Sequence, residues 1–271
     1  MSELYIERGG VFKSITEIEG VSVLAFEKSS PNQVSYSTEG EKFYGKIPNG
    51  HKFGTKSVSV RLLLKAKDYQ DYHMALEEIN DMIFQDEEYY IFSSTYPGVK
   101  YLVEPQPFKP SRESNIVALI DLEYEVVKGF GESRGSTLDP LTFDTELWQT
   151  GQGILLGEDM QYKHKTNTFR IYNAGSLTVD PEKRHDLIIT LTCEGSPRIW
   201  NKTTGTAFQC NRYLKKSDKL VLKSIHCYIN NNLSSRDGNH VVIKLKPGWN
   251  EFEISRCTNI DVSFDFPFLY K

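Results

Sequence analysis

Ile260-Asp261-Val262-Ser263-Phe264-Asp265-Phe266, near the C-terminus, alternates without interruption. Ile260, Val262, Phe264 and Phe266 fall on one side and Asp261, Ser263 and Asp265 on the other. That is the pattern of a strand with one face in a core and one in water. Working back towards the N-terminus, similar pieces recur: Phe252 and Ile254; Val241, Ile243 and Leu245; Leu220, Leu222 and Ser224; Leu187, Ile189, Leu191 and Cys193. Turn signals separate them at Asn173-Ala174-Gly175, Gly195-Ser196-Pro197, Thr204-Gly205, Asp237-Gly238-Asn239 and Pro247-Gly248. Short strands at this spacing with no helical period predict an antiparallel β-sandwich.

The N-terminal half reads differently. Val58, Val60, Leu62 and Leu64 share one face of a strand over Ser57 to Lys65. Ile116, Ala118, Ile120, Leu122, Tyr124 and Val126 share one face over Ile116 to Val127, and Val21 to Phe26 predicts a third strand. Between the first two, Tyr69, Tyr72, Leu76, Ile79 and Ile83 recur at helical spacing. Asp68 stands where an N-cap belongs, and Asp71 adds negative charge in the first turn. The prediction is one helix over about Asp68 to Phe84, its stripe belonging to the core.

Ser29 to Thr55 carries turn residues but little period. Asn49-Gly50 is a hairpin-turn signal. Phe43, Tyr44, Ile47 and Phe53 are too apolar for a free loop, so the segment is expected to be a β-hairpin arm packed on its own domain or on a neighbouring subunit. From Lys128 to Thr145, Gly, Ser, Asp and Pro crowd together, which predicts a linker. The expected organisation is a mainly β chain. It has an α+β domain over 1–130 with the arm and one helix, a linker over 131–146, and a β-sandwich over 147–271.

The chain has 271 residues, of which 39 % are hydrophobic, 12 % aromatic and 25 % charged, with a net charge of -4. This is a globular profile, large enough for a sizeable core. A slightly acidic chain is a poor nucleic-acid binder. The longest clean apolar run, Ile116 to Ile120, is far short of a membrane span, which needs about 20 residues. The N-terminus lacks the basic and apolar regions of a secretory signal. The four cysteines, Cys193, Cys210, Cys227 and Cys257, contain no C-x-x-C pair and are expected to be reduced and mostly buried.

Signals for chemistry are thin. No H-E-x-x-H or G-x-S-x-G occurs, and Gly151 to Gly157 misses both the dinucleotide and the P-loop spacing. No catalytic residue, metal ligand or cofactor site is expected. Glu253, Asp261 and Asp265 could in principle serve a glycosidase, but their alternation with apolar residues marks a solvated face. Trp200 and Trp249 are the candidates for sugar stacking, with core packing as the simpler reading.

Four of the turns, taken together, resemble the distal tail (Dit) family of long, flexible-tailed phages that infect Gram-positive bacteria. Tyr172-Asn173-Ala174-Gly175 is similar to the family's Y-N-x-G, and Asn201-Lys202-Thr203-Thr204-Gly205 to its N-x-T-T-G. Leu245-Lys246-Pro247-Gly248-Trp249-Asn250 is similar to its L-x-P-G-x-N, and Phe264 to Tyr270 resembles its aromatic C-terminal strand. Arg256 departs from the small residue that the family pattern has in the final hairpin. The resemblance implies a structural, non-enzymatic virion protein at the distal end of the tail, assembled in the host cytoplasm. It implies a hexameric ring formed by the N-terminal domain, with the arm at Phe43, Tyr44, Ile47 and Phe53 embracing the next subunit, and a galectin-like C-terminal sandwich. The implied partners are the tail tube, the tape measure protein, the tail-associated lysin or fibre hub and, in some phages, receptor-binding proteins. A carbohydrate-binding β-sandwich module is the alternative.

Overall fold

A computed structural model describes residues 2–39, 44–143, 147–155 and 157–271. About 51 % of the chain is strand and 10 % helix. It divides into two compact units, one running to Gly131 and the other spanning Glu132–Tyr270.

The first unit contains β1 (Leu4–Arg8), β2 (Val11–Ser14), β3 (Val21–Lys28), β4 (Gln33–Glu39), β5 (Lys46–Phe53), β6 (Lys56–Lys65), α1 (Tyr69–Ile83), β7 (Tyr89–Ser93), β8 (Tyr96–Pro105), β9 (Ser111–Arg112) and β10 (Val117–Val126). Seven strands run through one antiparallel sheet in the order β2-β1-β7-β8-β10-β6-β3, and the short β9 also pairs with β10. A single bridge between Ser2 and Val23 draws β1 towards β3 and curls the sheet. The tight β1–β2 turn is made by Gly9 and Gly10, both at positive φ, which two-residue hairpins favour.

The core is the face written into β6 and β10. Val58, Val60, Leu62 and Leu64 lie beside Ala118, Ile120, Leu122, Tyr124 and Val126, all buried. Each large side chain removed from water contributes about 1.5–3 kcal/mol. Helix α1 starts at Asp68, whose carboxylate accepts the Gln70 and Asp71 N–H groups, each at 2.9 Å. Its buried stripe is Tyr72, Ala75, Ile79 and Ile83. Tyr69, expected in that stripe, is exposed instead. It is the first helical residue, its ring edge against His73 and the Arg112 guanidinium 5.5 Å from its centre. Ala75 takes the inner position, where a small side chain lets helix and sheet approach.

The second unit contains β11 (Gly131–Ser133), which begins one residue before it, then β12 (Lys163–His164), β13 (Thr168–Asn173), β14 (Ile188–Asn201), β15 (Thr206–Gln209), β16 (Lys219–Lys223), β17 (His226–Ile229), β18 (Asn232–Leu233), β19 (Gly248–Asp265) and β20 (Leu269–Tyr270). Two long strands, β14 and β19, pair with each other through most of their length. One end of the pair is flanked by β13 and β15, the other by β12 and by β16, β17 and β18.

This pair is folded over. Phe252 and Phe264 lie 12 positions apart on β19, which a straight strand would separate by about 40 Å. Their ring centres are 4.9 Å apart. Two bulges make the corner. One extra residue sits on β19 between Thr258 and Asp261, and one on β14 between Gly195 and Arg198, so the register lost at the first is restored at the second. Arg256 and Asn259 take positive φ, and Pro197 occupies the β14 bulge, where a strand tolerates proline. Strands that bend at bulges and switch sheets build a sandwich from few elements.

Several sequence expectations need correction here. Phe252–Ile254 and Ile260–Phe266 were expected as separate strands; Gly248 to Asp265 is one bent strand. No hairpin turn stands at Arg256; its positive φ at the bulge is a conformation that suits a small residue better. Val241, expected in a strand, is exposed, and the chain there joins a ladder only through the Leu245–Val179 bridge.

Residues 133–137, within the stretch read as a linker, are stitched to the last aromatic strand. Ser133 N–H donates to Phe268 O at 2.8 Å, and Phe268 N–H to Ser133 Oγ at 2.9 Å. Thr137 Oγ donates to Phe264 O at 2.8 Å and accepts from Phe266 N–H at 3.1 Å.

Candidate functional site

The arm grows directly out of the sheet. Strands β3 and β6 pair with each other, and the chain between them continues outward as β4 and β5, a two-stranded sheet of its own. Its base is closed by Ser29 N–H to Ser57 O at 2.9 Å and Gly54 N–H to Asn32 O at 2.7 Å. Asn49-Gly50, the expected turn, lies inside β5. Tyr36 pairs with Gly50 and Ser37 with Pro48, so Asn49 is the extra residue of a bulge, with Gly50 at φ 122°. The last pair of the ribbon is Glu39 with Lys46.

Among the described residues, little covers this ribbon. Every residue of β4 except Val34 is exposed. Tyr44 is fully exposed, Ile47 is 50 % exposed and Tyr36 is 47 % exposed. Phe43 lies outside the described residues, as does the side chain of Phe53; the Phe53 backbone pairs with Gln33 at the arm's base. The internal contacts are polar: Lys46 pairs with Glu39 at 3.0 Å, Asn49 hydrogen-bonds Thr38, and Lys52 lies 5.7 Å from the Tyr36 ring centre. An isolated two-stranded ribbon is marginal in water.

A second apolar patch, not singled out from the sequence, lies on β2. Val11 is 66 % and Phe12 52 % exposed. Phe12 stands edge-on to Tyr5 at 5.6 Å and Phe92 at 5.8 Å, and those two rings stack at 4.9 Å. The signal was Val-Phe directly after Gly-Gly, too short to show a period.

In the second unit, Trp200 and Trp249 are half-buried on the outer side of the sandwich. Glu253 pairs across from Trp200, and Tyr172 from Trp249. Arg170 lies 4.5 Å over the Trp249 ring; Arg198 and Lys202 lie 5.2 and 5.3 Å from that of Trp200. Both indoles therefore already meet cations of their own chain, in the geometry that favours cation–π attraction.

The carboxylates do not form an acid pair. Glu253 binds Lys202 at 2.6 Å and Asp261 faces Lys165 at 3.7 Å. Asp265 accepts from Ser136, and burial together with the nearby Asp139 pushes its carboxyl above the usual range. Asp261 and Asp265 stand four positions apart on a straight stretch, about 13 Å. Glu253 points out of the other sheet. A glycosidase pair needs about 5–10 Å. No group of three or more His, Cys, Asp or Glu side chains that could hold a metal occurs among the described residues. No helix of the described chain is long and apolar enough to cross a membrane.

The turn motifs are structural locks. Asn173, Asn201 and Asn250 are all buried. Asn173 Nδ2 donates to Leu177 O and Leu245 O at 3.0 and 3.2 Å, and its Oδ1 accepts from Gly175 N–H at 3.0 Å. Asn201 Nδ2 donates to Lys244 O at 2.7 Å and Asn250 Oδ1 at 3.2 Å, while its Oδ1 accepts from Thr203 N–H at 3.0 Å. Asn250 closes the third turn through Lys246 and Gly248. A side-chain amide supplies both donor and acceptor where the turning backbone has lost its ladder partners.

Residues 7–124 match the family of phage tail protein RIFT-related domains. That stretch lies within the first unit. Across the whole chain, the fold is that of the Dit protein (gp 19.1) of SPP1, a structure described as a paradigm of the hub adsorption apparatus in phages infecting Gram-positive bacteria. The match covers 99 % of both chains with a TM-score of 0.70 at 11 % sequence identity. A chain of the phage p2 baseplate in its activated conformation with strontium is more distant, with 98 % of both chains covered, a TM-score of 0.43 and 7 % identity. No curated protein matches in sequence. The family match lies in the first unit, and the likeness of fold to the SPP1 protein runs through both units.

Proposed function

We propose that the protein is a structural component of the distal tail tip of a long-tailed phage, forming a ring of six copies. The ring joins the tail tube and tape measure protein to the lysin or fibre hub that adsorbs to the host. The observation that carries the reading is the exposed apolar arm on a phage tail domain. A closed ring needs two different patches on each subunit, one giving and one receiving. The arm at Tyr36, Tyr44 and Ile47 is the giving patch, and Val11 and Phe12, backed by Tyr5 and Phe92, are the receiving one. Phe43 and Phe53 belong to the giving patch by their place in the arm sequence.

Solution mass tests it. The expected result is a species of about six times 31.1 kDa, assembled alone or on a docked tail tube. Deleting residues 41–51 leaves a folded monomer that no longer assembles, and Phe12→Asp does the same from the other side. Hexamers that persist in both variants would refute the proposed interface. A monomer under every condition, including with tail tubes, would refute the ring.

A further inference from the structure

The base of the arm gathers two cations without an anion between them. Lys56 opens β6 and shares its inward face with Val58, Val60 and Leu62; it is only 3 % exposed. Lys28 closes β3 opposite Val58, so it lies on the same face, diagonal to Lys56 at about 7–8 Å. Lys28 is exposed and marks the open side. Its Nζ stands 4.6 Å from the Tyr96 ring centre, and the Lys56 Nζ stands 5.6 Å from that of Tyr101. Among the described residues, neither ammonium forms an ion pair or a hydrogen bond.

The carboxylates nearest in the register turn away. Glu27 and Glu123 both pair with Ser59, and Glu125 pairs with Ser57, all on the opposite face of the sheet. Tyr101 supplies no negative charge either, since burial pushes its hydroxyl up to about 12. Burial and the charge of Lys28 together hold the Lys56 pKa below the ordinary lysine value. A buried ammonium is costly unless it is paired with an opposite charge. The two tyrosine rings attract the cations, but a ring does not neutralise them.

We propose that Lys28 and Lys56 form a binding site for a doubly charged oxyanion of the phosphate class, held between the two ammonium groups at the base of the arm. The charges match, because a phosphate group carries about −1.5 to −2 at neutral pH. Its oxygens are acceptors, and both lysines offer only donors. Hydrogen bonds between charged partners of this kind are the strong ones. Lys28 belongs to β3 and Lys56 to β6, the two strands that the arm continues, so the anion bridges both strands where the arm begins.

The test titrates the full chain with sodium phosphate by calorimetry, with sodium chloride at matched ionic strength as the blank, because screening acts through both salts alike. The expected result is a saturable isotherm with one phosphate per chain. A parallel titration with glycerol phosphate distinguishes the sources: tighter binding of the inorganic ion assigns the site to free phosphate, and tighter binding of the ester to a phosphomonoester. Lys56→Met keeps an unbranched apolar stem and is expected to weaken phosphate binding by about tenfold or more, the loss of one hydrogen bond to a charged group. Lys28→Met is expected to do the same, and it changes an exposed residue, so it reads the site even if Lys56→Met does not fold. Lys65→Met, on the opposite face of β6, is expected to bind like the wild type. The proposal is overturned if phosphate gives no saturable heat beyond chloride, if either folded lysine variant of the site binds like the wild type, or if Lys65→Met loses binding as well.

Discussion

The arm and the β14–β19 pair are both long antiparallel ribbons, yet they bury their side chains in opposite ways. In β14 and β19, two compensating bulges fold the ribbon over, so that Phe252 and Phe264 of one strand meet in one core. In β4 and β5, a single bulge at Asn49 leaves the ribbon extended, with Tyr44 and Ile47 in water. A second bulge thus separates a ribbon that supplies its own partner from one whose apolar residues stay in water. Stability should be concentrated in the first and assembly in the second.

The strongest way to break that contrast is Phe264→Ala. It empties the contact between the two halves of β19 and should cost the second unit about 3–5 kcal/mol, read from its denaturant midpoint. Asn201→Ala comes next. It removes the amide joining two turns and leaves Lys244 O without that donor, for about 1–3 kcal/mol on the same transition. Asp265→Asn should act through pH. The folded state raises the Asp265 pKa, so the stability it contributes is present below the ordinary carboxylate range and lost as pH rises through the raised value. The variant should therefore flatten the decline of the midpoint between acid and neutral pH; an unchanged slope would remove Asp265 from the account. The smallest effect on stability belongs to the arm: Tyr44→Ser with Ile47→Ser should move the first unit's midpoint by less than about 0.5 kcal/mol. If that double variant instead unfolds the unit, the arm is a core element and the contrast fails.

Much of the core was legible because it follows a simple period. β6, β10 and the inward residues of β14 and β19 alternate strictly, and Asp68 announces the helix. The corner was not, because a bulge breaks the alternation that identifies a strand. Gly195-Ser196-Pro197 therefore read as a turn, and Arg256 to Asn259 as a gap between strands. Asn49-Gly50 misled for a related reason: the same permissive backbone serves a turn or a bulge, and only the partner strand decides. The arm was legible as an apolar segment without a period. The β2 patch was not, since two residues carry no pattern.

The arm's attachment has a mechanical consequence. Since β4 and β5 continue β3 and β6, a pull on the arm's tip runs along the axes of two strands of the sheet. β6 is held to β10 by a ten-residue register and to β3 on its other side. The cross-strand hydrogen bonds lie perpendicular to that pull and resist it together, in shear, instead of opening one after another like a zip. A handle mounted in this way transmits tension into the sheet without peeling its edge.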